Sequence, residues 1–261
     1  MLSVDFTANG TADDRLAIRN QGTAVGQIGV SGADVTYNFG AGAVVIGSFS
    51  GGSDGSTPLV VTFNANANAT AAAAQALLRN ITYANVSDAP STTPRTVRFV
   101  LTDGDGGTSG APTKTINVTA VNDAPLITSN GGGATAAVSV AENQTVATTV
   151  TSSDVDGGAP VYSIAGGADA ALFTINPTTG VLSFNSAPNY EAPTDAGANN
   201  VYDVTVQVSD GAGGTDTQAI AVTVTPVNDN APVITSNGGG STATISLAEN
   251  TSAVTTVTAT D

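Results

Sequence analysis

The chain repeats itself at a fixed offset, and that offset sets the size of the unit it folds into. Ile127-Thr128-Ser129-Asn130-Gly131-Gly132-Gly133 returns as Ile234-Thr235-Ser236-Asn237-Gly238-Gly239-Gly240. Ala141-Glu142-Asn143 returns as Ala248-Glu249-Asn250, and Asp154 as Asp261, each 107 residues later. Thr-Asp-Gly at 102–104 and Ser-Asp-Gly at 209–211 keep the same spacing. A period of that length is one small β domain, so the chain reads as part of a tandem array. The repeat divides it into 1–122, 123–229 and 230–261. About 110 residues close one sandwich core. The last piece is too short for that, and is expected docked on its neighbour, exchanged with another molecule, or disordered.

Dense Gly and Pro punctuation with many β-branched residues, and almost no helical periodicity, predicts strand and turn. In the second repeat the expected strands are 136–141, 145–151, 161–164, 172–175, 181–184, 201–209 and 217–225. Val204, Val206 and Val208 alternate with Thr205, Gln207 and Ser209, the period of two for a strand with one buried face. Seven short strands in about a hundred residues is the count of a sandwich. The first repeat diverges. Its strand-like segments are 3–7, 16–19, 34–39, 43–48, 59–64, 96–102 and 114–120, and Asn68-Ala69-Thr70 caps one short helix over 71–78. Leu77, Leu78 and Ile81 are its apolar anchors. The predicted fold class is all-β: tandem Ig-like β-sandwiches, the first with a short inserted helix.

Acidic residues outnumber basic ones 21 to 6, there is no His or Cys, and the formal charge is −15. Such a surface opposes nucleic acid and anionic membrane as partners. It favours a divalent cation, and an all-oxygen donor set suits calcium or magnesium rather than zinc or copper. With one Lys and neither His nor Cys, the common general bases and activated nucleophiles are missing, so the chain is not expected to be an enzyme. No apolar run approaches the length of a membrane span. Met1–Asn9 alternates like a strand and has no basic region, unlike a signal peptide. With Asp261 falling inside a repeat, an internal slice of a longer protein is expected. A Cys-free, acidic composition rich in Gly, Thr, Ala and Asn is common among exported bacterial proteins, so an extracellular or bacterial cell-surface location is expected.

The acids recur at the seams. Asp154 and Asp156 lie two apart, on one face of an extended strand, and Gly157-Gly158 lets the chain turn closely after them. Asp210 opens the Asp-Gly turn that ends a long strand. The seam Val121-Asn122-Asp123-Ala124-Pro125 returns, one residue longer, as Val227-Asn228-Asp229-Asn230-Ala231-Pro232. A single Asp-Gly is more often a plain turn than a ligand. The combination of seam, Asp-x-Asp and Glu-Asn points to a cation instead. Calcium gathers six to eight oxygens at about 2.3–2.6 Å, a set that two domain poles and the strap between them can supply. Asp54, Asp169, Asp195, Asp203 and Asp216 are assigned to solvated turns and strand faces.

These residues carry a family resemblance. The second repeat resembles a cadherin repeat of the bacterial, cadherin-like kind. Ala-Glu-Asn at 141–143, Ser-Asp-Val-Asp-Gly-Gly at 153–158, Phe173-Thr174-Ile175-Asn176 with Gly180-Val181-Leu182, Asn-Tyr-Glu at 189–191, Asp210-Gly211 and Val-Asn-Asp-Asn-Ala-Pro at 227–232 match that family's motifs. The resemblance implies calcium ligands Glu142, Glu191, Asn228, Asp229, Asn230 and Asp261 at the joint after the second repeat. It implies Asn122, Asp123, Asp154, Asp156 and Asp210 at the joint before it, with the Ala124 carbonyl. Three departures reduce the expected number of ions. Ala120 and Pro226 stand where the linker has an aspartate, Asn189 replaces the first acid of Asp-x-Glu, and the first repeat has no Glu unless Asp88 or Asp13/Asp14 substitutes. The first repeat resembles, through Ala76–Tyr83 and Arg95–Phe99, a domain found beside such repeats in long bacterial surface proteins. The implied role is a calcium-stiffened structural and adhesive stalk. Its partners would be calcium ions and neighbouring repeats, with a cell-surface protein or glycan engaged through other domains. The rival is a carbohydrate-binding module, for which Tyr37, Tyr83 and Tyr190 are the candidate platform.

Overall fold

The structure, a computed structural model, describes residues 1–65 and 68–260. It divides into two compact units, one of Met1–Asp123 with Val155–Gly157, the other of Ala124–Asp154 with the residues from Gly158 on.

In the first unit β1 (Leu2–Ala8), β2 (Asp14–Ile18), β3 (Ile28–Ser31), β4 (Asp34–Asn38), β5 (Ala43–Ser50) and β6 (Leu59–Phe63) precede α1 (Ala71–Leu78). They are followed by β7 (Ile81–Asn85), β8 (Arg95–Leu101) and β9 (Thr113–Ile116). Seven strands make one sheet in the order β3-β4-β5-β6-β1-β8-β9, and β2 pairs with β7 separately. The core draws Leu2, Val4, Ile28, Val35, Ile46, Leu59, Val61 and Val97 from the large sheet. Against them lie Leu16 and Ile18 of β2 and Ala73 and Leu77 of α1. The helix starts where its cap predicts, with Thr70 Oγ1 accepting the Ala73 N–H at 3.2 Å. Strands β3 and β7 were not foreseen. Each is short, and the apolar signal of β7 runs on from the helix before it.

The second unit is built from β10 (Leu126–Ile127), β11 (Thr135–Ala141), β12 (Val146–Thr149), β13 (Ser152–Ser153), β14 (Val161–Gly166), β15 (Phe173–Ile175), β16 (Val181–Phe184), β17 (Val201–Ser209) and β18 (Thr215–Thr225). One sheet runs β11-β18-β17-β14, the other β12-β16-β15, and β10 pairs with β13. Val204, Val206 and Val208 of β17 and Ile220, Val222 and Val224 of β18 face Phe173, Leu182 and Phe184 across one core. That is a sandwich packed as the alternation requires. The turn between β15 and β16 closes on Gly180, whose φ is 70°. A Cβ there would sit 2.0 Å from the Val150 carbonyl oxygen, so only glycine fits.

The same unit ends in β19 (Val233–Ile234) paired with β20 (Ala259–Thr260). This reproduces the β10–β13 ladder one repeat later, with Thr235 and Thr258 hydroxyls 3.2 Å apart where Thr128 and Thr151 are 3.3 Å apart. What differs is cover. Ile127 is 1% exposed, whereas its counterpart Ile234 is 55% exposed. Among the described residues no helix is long and apolar enough to cross a membrane.

Two assignments made from sequence are corrected here. Asp169 and Asp195 are buried rather than solvated, because each carboxylate accepts backbone N–H groups of the irregular segment 185–200, and Asp169 that of Asp203 in β17 as well. Asp14 is no substitute ligand at a seam. It is fully buried in the first unit, against Arg95.

Candidate metal centre

Glu142 follows directly on β11. Its N–H donates to the Thr225 carbonyl at 2.9 Å, so the chain leaves the parallel β11–β18 ladder with this side chain turned inward and 1% exposed. One carboxylate oxygen accepts the Val227 N–H at 2.7 Å and the other the Tyr190 N–H at 2.8 Å. These backbone donors, Val227 first and then Tyr190, hold the Glu142 carboxyl below the usual carboxylate range despite its burial. Asn143 takes a left-handed backbone, φ 64°, which asparagine tolerates. Its N–H donates to the Pro188 carbonyl at 3.0 Å and its side-chain amide to the Asp229 carboxylate at 2.6 Å. The Glu-Asn pair thus ties together the end of β11, the loop after β16 and the segment after β18.

Glu191 stands on that loop. Asn189, which replaces an acid of the family motif, accepts the Glu191 N–H at 2.9 Å through its side-chain oxygen and shapes the turn. One carboxylate oxygen from each of Glu142, Glu191 and Asp229 lies within 4.8 Å of the others, with Glu142 buried and the other two exposed. Asn228 and Asn230 line an open cleft with Glu191 and Asp229.

The donor set fits a hard divalent cation. No Lys, Arg or His occurs after Lys114, so the unit carries no side-chain cation to neutralise three converging carboxylates. Each Glu142 oxygen spends one lone pair on a backbone N–H and keeps another for an ion. Carboxylate and amide oxygens, with no nitrogen or sulfur donor among these residues, are calcium's ligand types.

The other predicted ligands are placed as follows. In the first unit the Asp123 N–H donates to the Asp156 carboxylate at 2.6 Å, and the Asn122 side chain donates to the Asp123 carbonyl at 3.0 Å. Asp156 also lines a cleft with Ala120, Val121, Asn122, Ala89 and Pro90. In the second unit Asp154 follows β13 directly. Asp210 closes the turn after β17, one oxygen accepting the N–H groups of Ala212, Gly213 and Gly214 at 2.7, 3.0 and 3.0 Å. Asp261 lies outside the described residues.

Sequence reasoning missed the polar hub of the first unit. Asp14 accepts from Tyr83 Oη at 2.5 Å, Asn85 Nδ2 at 2.7 Å, the Thr11 N–H at 2.7 Å and Arg95 Nε at 3.2 Å. Burial pushes its carboxyl up, but these donors, led by Tyr83 and Asn85, hold it well below the usual range. Arg95 also donates to the carbonyls of Ser91 and Thr93, fixing the 86–94 segment. Tyr83 is half-buried, its hydroxyl committed to Asp14 and its ring edge-on to Phe6. Tyr37 packs edge-on to Phe39, with centroids 4.7 Å apart. Asp14 and Arg95 begin their strands β2 and β8, but each is followed by further polar residues, so no local pattern singles them out.

Residues 136–225 match the family described as "Cadherin domain". The chain is 27% identical over 164 residues to "Cadherin-related family member 2" of Mus musculus, covering 61% of this chain and 12% of that protein. It is 36% identical over 155 residues to "Protocadherin-like wing polarity protein stan" of Drosophila melanogaster, covering 53% of this chain and 4% of that protein. The chain thus spans a small fraction of these relatives. Among solved structures, human Protocadherin-24 EC1-2 is 26% identical, with a TM-score of 0.40 over 53% of this chain and 61% of that one. Human CDH23 EC21-23 is 16% identical, with a TM-score of 0.49 over 100% of this chain and 68% of that one. Within the second unit, residues 136–225 are thus similar to a cadherin domain.

Proposed function

We propose that this chain is a calcium-stabilised structural and adhesive repeat region of an extracellular bacterial surface protein, stiffening a stalk that carries other modules away from the cell. The observation that carries this is the convergence of Glu142, Glu191 and Asp229 in a unit without a basic side chain. Removing an ion from such a set leaves like charges crowded, which loosens the segments that bear them. Calcium accordingly acts here as a clasp, joining the end of β11, the Glu191 loop and the segment at 226–230 that leads into the next repeat. The 107-residue recurrence supports a serial role, because the Glu142-Asn143 that meets the seam after the second repeat returns as Glu249-Asn250 in the third. The likeness of residues 136–225 to cadherin domains supports an adhesive, extracellular setting.

Small-angle scattering in calcium and then in chelator tests the proposal. The maximum dimension is expected to shift and the flexibility signature to rise when calcium is withdrawn. Identical profiles in both conditions would count against a metal-set joint.

A further inference from the structure

The ion would touch Glu191, yet Glu191 sits on a loop with no regular structure from Asn185 to Asn200. Something other than strand pairing must hold it. Two buried carboxylates begin the answer. Asp169 accepts the Ala196 N–H at 2.7 Å and the Asp203 N–H at 2.8 Å, which fastens the far end of the loop to the start of β17. Asp195 accepts the N–H groups of Asn199 and Asn200 at 2.9 and 3.1 Å, winding 195–200 into a closed turn. The Thr194 N–H donates to the Tyr202 hydroxyl at 3.2 Å. The result is a hydrogen-bonded frame that does not include residues 189–191.

Asn200 connects the two. Its N–H is held by Asp195, and its carbonyl accepts the Val224 N–H at 2.9 Å. Its side-chain amide reaches ten residues back to donate to the Tyr190 carbonyl at 2.9 Å. Tyr190 is then gripped on both sides, its N–H by Glu142 and its C=O by Asn200, immediately before Glu191. Resting on the calcium function proposed above, we infer that Asn200 is a positioning residue. It does not bind the ion; it transmits the frame set by Asp169 and Asp195 to the Glu191 backbone, so that this carboxylate meets Glu142 and Asp229. Partners one step removed from a metal ligand typically change affinity about 10–100-fold when removed.

The backbone of Asn200 has φ 62°, so Asn200→Gly keeps the turn and deletes only the side-chain amide. Asn200→Asp keeps the shape but sets a carboxylate against the Tyr190 carbonyl. Both are measured in the full chain by two methods. Amide hydrogen exchange in EGTA, without metal, is expected to rise about 10-fold at Tyr190 and Glu191 while Val206 and Val208 of β17 stay protected. Calorimetric titration with calcium chloride is expected to show affinity about 10-fold weaker for Asn200→Gly, and weaker again for Asn200→Asp. Unchanged exchange at 190–191 overturns the inference whatever the calcium result. A rise spread equally through β17 also overturns it, since that marks a general loss of stability. Raised local exchange with wild-type calcium affinity overturns the link to the ion. If the wild-type chain itself takes up no calcium, the function proposed above fails, and the exchange experiment alone still decides whether Asn200 holds the loop.

Discussion

The Asn143 side-chain amide donates to the Asp229 carboxylate at 2.6 Å across 86 residues of sequence. The pair fixes the direction in which one of three clustered acids faces. Asn143→Gly preserves the left-handed backbone at this position and removes only that grip. Calcium affinity by calorimetry should fall about 10-fold, with the thermal midpoint in chelator little changed.

Glu142 and Glu191 should respond oppositely when no metal is present. Glu191→Gln removes one negative charge from a crowded cluster and relieves repulsion, so in EGTA the second unit should melt at or above the wild-type temperature. In millimolar calcium the order reverses, because the variant has lost a ligand. Glu142→Gln instead takes an acceptor from the Val227 or Tyr190 N–H, and should melt lower in both conditions. Scanning calorimetry with and without calcium distinguishes the two.

Acid should weaken the first unit through Asp14. Its folded-state carboxyl titrates well below the ordinary range, after four donors outweigh burial. A depressed carboxylate contributes stability that is complete above the unfolded value, about 3.9, and is lost as pH falls through the folded value. At pH 7, Asp14→Asn breaks a pair with neither side chain exposed and should cost about 3–5 kcal/mol. In urea titrations the gap between variant and wild type should start to close below about pH 4. A gap that widens in acid would contradict this.

Gly180→Ala should destabilise the second unit. The added Cβ meets the Val150 carbonyl at 2.0 Å on a backbone with φ 70°, and the cost should exceed the fraction of a kcal/mol that Gly-to-Ala gains at a permissive site. Limited proteolysis should show earlier cleavage within 161–225 than in wild type.

Much of the second unit was legible because its strands alternate cleanly and its turns carry Gly where φ is positive. The long strands β17 and β18 declared themselves through every second Val or Ile. Helix α1 did so through an Ala-rich run behind Thr70. The first unit was less legible, since β3 is only four residues long and only Arg79-Asn80 separates β7 from the helix before it. The Glu142, Glu191 and Asp229 cluster was reached through motif resemblance, because no local pattern tells that positions 142, 191 and 229 converge. Asp169 and Asp195 were misread for a related reason. An isolated Asp among small residues, as in Ala168-Asp169-Ala170 and Thr194-Asp195-Ala196, looks like a solvated turn, and only tertiary structure shows how many unpaired N–H groups it serves. Asn200 was invisible in the same way.

Calorimetric titration of the full chain with calcium chloride tests the central claim most directly. One buried and two exposed carboxylates should bind with a dissociation constant on the order of 0.1–1 mM, the range of extracellular calcium modules, and the double substitution Glu191→Gln, Asp229→Asn should abolish the heat. A wild-type chain that gives no saturable heat at several millimolar calcium, or a double variant that binds as tightly as wild type, would contradict it.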